Sequence, residues 1–215
     1  MARSSVLFKC QACGYKTVKW MGRCPNCDAW NTLNEVTNKR EEVTAEFIKP
    51  CQVTAIQSKE RDWLSSGIGE LDRVLGGGIV TGSLVLIGGA PGIGKSTLIL
   101  QAASLFSAKH GSVLYVSGEE SAPQIKLRAE RLNVLDDNLY VLSEREYDVI
   151  EPLLQQDEYK LVIFDSIQTI YDSRLNTAPG SIIQVKEITN RLLKIAKTQE
   201  VPIFIIGHVT KDGDL

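Results

Sequence analysis

The sequence predicts an α/β domain with a mostly parallel central sheet, preceded by a small module built around cysteines. Three observations carry that expectation. Short apolar runs at Leu84–Ile87, Val113–Ser117, Leu139–Leu142, Leu161–Phe164 and Ile203–Ile206 alternate with longer segments of helical periodicity, the pattern of strand–helix–strand crossovers. A glycine-rich stretch, G-G-A-P-G-I-G-K-S-T, joins the first of those runs to the segment after it. Two C-x-x-C pairs fall within the first 30 residues.

The 215 residues suit one medium domain plus a small appendage. An apolar content of 43% and a charged content of 23% are ordinary for a globular chain. The net charge of −2 gives no overall attraction to nucleic acid or anionic membrane, so any DNA contact must use local basic loops. No apolar run approaches the ~20 residues that span a bilayer. No signal-peptide pattern follows Met1. A cytoplasmic protein is the expectation, and there paired cysteines serve as metal ligands more often than as disulfides.

The first element is a cysteine module over residues 1–33. Cys10 and Cys13 are followed, ten residues on, by Cys24 and Cys27. Four thiolates at this spacing suit tetrahedral zinc. Gly14 and Pro25 fit tight turns that aim backbone N–H groups at sulfur. Two disulfides or a redox pair are the alternatives, and neither suits so short a segment without βαβ context. About 30 residues bury too little to fold alone, whereas structural zinc supplies on the order of 10–16 kcal/mol. With all four positions cysteine, the ion has no open site and its role is structural. Contact with DNA or another protein is the module's expected task. Lys9, Lys16, Lys19 and Arg23, with Trp20 and Trp30, read either as a basic aromatic surface or as a solvated face over a miniature core holding the tryptophans. Cys51 is unpaired and reads as an ordinary small residue.

Residues 34–62 form a polar linker containing N-K-R-E-E, with a short edge strand expected near Val53–Ile56. Residues 63–215 form the α/β core. It opens on S-S-G-I-G-E-L-D-R-V-L-G-G-G-I, where Ile68, Leu71, Val74 and Leu75 lie on one face of a short helix. Ser65 or Ser66 is its candidate N-cap, and Gly76–Gly78 stop it.

Gly89, Gly94, Lys95 and Ser96 then fit G-x-x-x-x-G-K-[ST] at every fixed position. Glycines let the backbone turn sharply and point successive N–H groups at phosphate oxygens. The helix that follows, about 95–109, adds its positive end. Gly89, Ala90, Pro91, Gly92, Ile93, Gly94, Lys95, Ser96 and Thr97 are therefore the expected ATP loop. Lys95 is placed to reach the β- and γ-phosphates, and the Ser96 hydroxyl to ligate Mg²⁺.

Val113–Ser117 ends in Gly118-Glu119-Glu120. Ligands of parallel sheets sit at carboxyl strand ends, so Glu119 or Glu120 is the candidate base for the water that attacks the γ-phosphate. Either glutamate also reads as a favourable charge ahead of the helix from Ser121. Helices are expected at Tyr147–Gln155 and Ser181–Gln199, the latter with Ile183, Ile188, Leu192 and Ile195 as its buried stripe. Between them, L-V-I-F runs into Asp165, the expected magnesium acid. The last strand ends in Gly207-His208, where His208 is either a γ-phosphate sensor or a hydrogen-bonded structural side chain. Gln168–Gly180, carrying Arg174, and the loop from Thr210 face the strand exits. A sheet ending on such a strand and loop reads as truncated.

These motifs in this order closely resemble the RadA (Sms) family of bacterial DNA repair proteins: four cysteines, then S-G-I-G-E-L-D-R-V-L-G-G-G-I-V, G-G-A-P-G-I-G-K-S-T, L-Y-V-S-G-E-E-S, L-V-I-F-D-S-I-Q-T, P-G-S and I-G-H-V-T-K. The resemblance covers all but the linker. It implies a RecA-like P-loop ATPase core that assembles as a homo-hexamer on single-stranded or branched DNA. It also implies ATP-driven movement and promotion of branch migration alongside the RecA recombinase. By position it prefers Glu119 to Glu120 as the catalytic glutamate and marks Asp165 as the Walker B acid. Gln168–Gly180 and the loop from Thr210 match its two DNA-facing loops. The family's K-N-R-F-G motif and Lon-protease-like carboxyl-terminal domain are absent from this chain, and Ser66 stands where threonine is common. A KaiC-like signalling ATPase shares the glycine-rich approach but not the cysteine module; a nucleotide-binding fragment without turnover is the other alternative.

Overall fold

The computed structural model describes residues 7–17, 19–36, 51–55, 63–156 and 158–208. The chain divides into two compact units, Met1–Gln57 and Ser58–Leu215.

The first unit holds an antiparallel sheet of β1 (Leu7–Cys10), β2 (Lys16–Thr17) and β3 (Leu33–Val36), ordered β2-β1-β3. A bridge between Arg23 and Trp30 closes a second, smaller hairpin. The interior is minimal: Cys10, Cys24 and Leu33, with Phe8 and Met21 against them. The tryptophans lie outside it, Trp20 at 57% and Trp30 at 70% exposure, so the miniature-core alternative is corrected. The Arg23 guanidinium lies 5.8 Å from the Trp30 ring centre. Val53–Ala55 forms a single 3₁₀ turn rather than the expected edge strand. Without a neighbouring strand among the described residues, the Ala55 amide closes locally on the Gln52 carbonyl at 2.9 Å. Most of the expected linker lies outside the described residues.

In the second unit a two-strand antiparallel ribbon, β4 (Trp63–Leu64) with β5 (Ile79–Val80), brackets α1 (Gly69–Val74). Neither expected serine caps α1. Ile68 occupies the N-cap without a side-chain bond, and the serines instead hold Asp72. Its carboxylate accepts from the Ser66 amide at 2.7 Å and the Ser65 hydroxyl at 2.8 Å. Val74 is exposed, while Leu71 and Leu75 pack on the core; six residues are too few for the full stripe.

The main sheet alternates with helices: β6 (Leu84–Gly89), α2 (Lys95–His110), β7 (Val113–Ser117), α3 (Ala122–Leu132), β8 (Leu139–Leu142), α4 (Tyr147–Leu154), β9 (Leu161–Asp165), α5 (Ile182–Gln199) and β10 (Ile203–His208). A 3₁₀ turn, Ile167–Thr169, follows β9. All pairings are parallel, in the order β6-β10-β9-β7-β8. The fold is thus a RecA-like α/β core. No described helix is long and apolar enough to cross a membrane.

Period-two alternation sorts the strand residues onto two buried faces. Leu114, Val116, Val162, Phe164, Ile203 and Ile205 join Ile188, Leu192 and Ala196 of α5. Val113, Tyr115, Leu161, Ile163, Phe204 and Ile206 join Ile99, Ala103 and Phe106 of α2. Each such aliphatic side chain contributes roughly 1.5–3 kcal/mol when fully buried. In α5 the buried i, i+4 row is Gln184, Ile188, Leu192 and Ala196. Ile183 is exposed, which corrects the expected stripe. A polar residue heads the row because the Gln184 amide binds the Asp172 amide and carbonyl and the Thr177 carbonyl.

Candidate functional site

The carboxyl ends of β6, β10, β9 and β7 lie side by side, and the sequence-predicted groups gather there. Gly92 (φ +77°) and Gly94 (φ +99°) hold left-handed backbone that lets the loop from β6 curl before α2 begins. Lys95, the first residue of α2, is buried. Its Nζ donates to the carbonyls of Gly89 (2.7 Å) and Ala90 (3.0 Å) and lies 3.3 Å from His208 Nδ1. Gly89 and His208 are register partners on adjacent strands, which is why this lysine and histidine meet. Ser96 and Thr97 occupy the first turn of α2.

The chain of contacts continues from His208 Nε2 to Glu119 Oε1 at 3.1 Å. The Ser166 hydroxyl donates to the same oxygen at 2.6 Å. An ammonium can only donate, so Nδ1 accepts from Lys95 and the ring proton sits on Nε2, directed at Glu119. Burial opposes the charge on Glu119, but the Ser166 and His208 hydrogen bonds and the charge of Lys95 outweigh it and hold the carboxyl below its usual range. The two glutamates diverge: Glu120 pairs with Arg128 on α3.

Asp165 ends β9 and is buried. Its Oδ2 accepts from the Tyr115 hydroxyl at 2.5 Å, while Oδ1 has no side-chain partner among the described residues. A free carboxylate oxygen and the Ser96 hydroxyl are hard oxygen donors, the set that Mg²⁺ takes in nucleotide sites. Tyr115 and Ser166 escape the sequence reading. Ser166 carries the one available signal, adjacency to Asp165; Tyr115 reads only as a strand aromatic. Gly118, just before Glu119, has no room for a side chain: a Cβ there meets Thr169 Oγ1 at 2.0 Å.

Gln168–Gly180 is tied down rather than open. Asp172 is fully buried and binds Arg174 (Nη2, 2.8 Å) and Arg191 (Nη1, 2.8 Å). Arg174 also pairs with Asp148, so the basic residue expected to face DNA is committed to two carboxylates. The Arg174 hydrogen bonds hold the Asp172 carboxyl down to about 2, against the cost of burial. A depressed carboxyl stabilises the fold above its unfolded value near pH 4, and that contribution is lost as pH falls through about 2. Asp172→Asn is expected to cost about 3 kcal/mol at neutral pH. Chemical denaturation across pH checks this: the gap to the parent should close toward the acid end. The second expected loop, from Thr210, lies outside the described residues.

In the first unit the four cysteine sulfurs lie within 4.8 Å of one another, with Cys10–Cys27 at 3.7 Å and Cys13–Cys24 at 3.6 Å. A tetrahedron with zinc–sulfur bonds of about 2.3 Å has edges of about 3.8 Å, so the donor set fits zinc. Both halves are built alike. Gly14 and Asp28, each directly after a second cysteine, have φ of +77° and +57°. Their amides return to the carbonyls of Cys10 and Cys24, each at 2.9 Å. Cys51 is exposed and apart from this cluster.

Residues 49–214 match the family described as AAA domain, and residues 8–35 match a rubredoxin metal binding domain. The chain is 50% identical to DNA repair protein RadA of Bacillus subtilis (strain 168), across 100% of the chain and 49% of that protein. It is 46% identical to DNA repair protein RadA of Helicobacter pylori (strain 26695), across 100% of the chain and 50% of that protein. It thus spans about half the length of these relatives. Among solved structures, the RadB recombinase superposes with a TM-score of 0.52 at 28% identity, over 69% of this chain and 71% of that one. A DnaB-like replicative helicase superposes with a TM-score of 0.57 at 19% identity, over 69% of this chain and 44% of that one, a likeness of fold alone.

Proposed function

Because the chain belongs to the AAA-domain family and resembles DNA repair protein RadA from end to end, we propose that it is an ATP-hydrolysing DNA repair and recombination protein whose turnover depends on DNA. The observation that carries this reading is the unbroken contact chain Lys95–His208–Glu119–Ser166 across four strand ends.

In this reading residues 89–97 cradle the triphosphate. Lys95 exchanges the loop carbonyls it now holds for phosphate oxygens. Glu119, ionised and held on one oxygen by Ser166 and His208, receives the proton of the attacking water. His208 touches both Lys95 and Glu119, so it reports the γ-phosphate to the base. Ser96 and Asp165 hold Mg²⁺, which neutralises phosphate charge when bound. The zinc of Cys10, Cys13, Cys24 and Cys27 is structural. Gln168–Gly180 and the loop from Thr210 meet DNA; Thr169, packed on Gly118, links the first of them to Glu119. Single-stranded or branched DNA, the RecA recombinase and further copies in a homo-hexamer are the proposed partners of the whole protein. Branch migration is the proposed outcome and the cytoplasm the proposed location.

ATP turnover measured with and without single-stranded DNA tests this. Stimulation by DNA, weakening steeply as salt rises, is the expected result. Glu119→Gln should still bind ATP yet turn over about 10²–10⁴-fold more slowly; an unchanged rate moves the base to Glu120. ATP binding with no turnover under any condition reduces the reading to nucleotide binding.

A further inference from the structure

One fully buried polar side chain near the strand ends is left without a task by that reading. Tyr115 lies in the middle of β7, facing the α2 side of the sheet with Ile163 as its register partner. Ser117, two residues on, is the partner of Asp165. Positions 115 and 117 share a face, so the tyrosine stands one pleat repeat behind the acid and its length carries the hydroxyl forward to Oδ2. That hydroxyl binds nothing else among the described residues. The ring alone would satisfy the apolar packing, and phenylalanine would supply it without a polar atom to bury. The hydroxyl therefore answers to the carboxylate.

We propose that Tyr115 is a positioning residue for magnesium, its phenol fixing the Asp165 carboxylate by Oδ2 so that Oδ1 alone is presented to the ion of a bound nucleotide. This rests on reading Asp165 as the magnesium acid. The phenol is a single O–H donor and Oδ2 is the acceptor it reaches. A carboxylate held at one oxygen cannot swing between one- and two-oxygen binding. That restraint suits Mg²⁺, which demands near-ideal octahedral geometry. Removing the hydroxyl leaves Oδ2 buried without a donor and frees the group to rotate.

The test is Tyr115→Phe in the full chain, beside Asp165→Asn. Affinity for a fluorescent ATP analogue is measured as Mg²⁺ is titrated and again in EDTA, and Mn²⁺ bound to the nucleotide-loaded protein is counted by EPR. Tyr115→Phe should need about 10-fold more Mg²⁺ for half-maximal nucleotide binding and hold Mn²⁺ correspondingly less tightly, as for other groups that orient a metal ligand. Binding in EDTA should be unchanged. If Asp165→Asn shifts the metal requirement and Tyr115→Phe does not, the proposal is wrong and the reading of Asp165 survives. If Asp165→Asn shifts nothing, that reading fails and takes the proposal with it. If Tyr115→Phe weakens binding equally with and without metal, its hydroxyl supports structure only, and the proposal is overturned.

Discussion

Lys95→Ala is expected to lose tight ATP binding and to lower turnover by about 10²–10³-fold, the usual scale for deleting one charged donor aimed at a developing anion. The geometry says why no other group can substitute. Lys95 is the only lysine or arginine whose side chain reaches the carbonyls of Gly89 and Ala90 among the described residues. It is also the sole donor to His208 Nδ1 there. Alanine thus removes the cation that meets phosphate and cuts the contact chain to Glu119 at its first link. The His208 ring, no longer obliged to accept at Nδ1, can change tautomer and cease donating to Glu119. Nucleotide titration by calorimetry and a steady-state ATP assay check both halves. Normal turnover in this variant would remove the phosphate role from the loop.

Cys24→Ser is expected to release the zinc of the first unit and to unfold it. Metal analysis should fall from about one zinc per chain to none. The interior of that unit is two cysteines, one leucine and two half-buried neighbours, far too little to hold a fold. Zinc is worth on the order of 10–16 kcal/mol in comparable peptides, so its loss cannot be made good. The second unit has apolar clusters of its own on both sheet faces, so nucleotide affinity should survive. Protease should then remove residues near the amino terminus while sparing the remainder. A folded first unit without zinc would refute a structural role for the metal.

The elements of the core were legible because their signals are local. β7 and β8 match the apolar runs residue for residue, and β6 extends its run only into the glycines. Lys95 is singled out by motif spacing and Asp165 by its place at a strand end, whereas the end of β7 leaves Glu119 and Glu120 open and only the family resemblance prefers Glu119. Several misread side chains have partners that no periodic pattern marks. Ser65 and Ser66 look like caps until Asp72 is seen to claim them. Arg174 looks free until Asp148 and Asp172 close on it. Gln184 looks like a surface residue until the chain near Asp172 folds over it. Tyr115 and Ser166 stayed hidden because the bonds to Asp165 and Glu119 span 50 and 47 residues, beyond the reach of any local pattern.

The place of β6 in the sheet carries a mechanical consequence. It has β10 on one side and, among the described residues, no strand on the other, with Leu86 open to solvent. Among the described residues the loop of residues 89–97 is therefore tied to the sheet through β10, by the register pairs from Leu84–Ile203 to Gly89–His208. A slip of that register by one residue would part Gly89 from His208 and so separate Lys95 from the imidazole it touches.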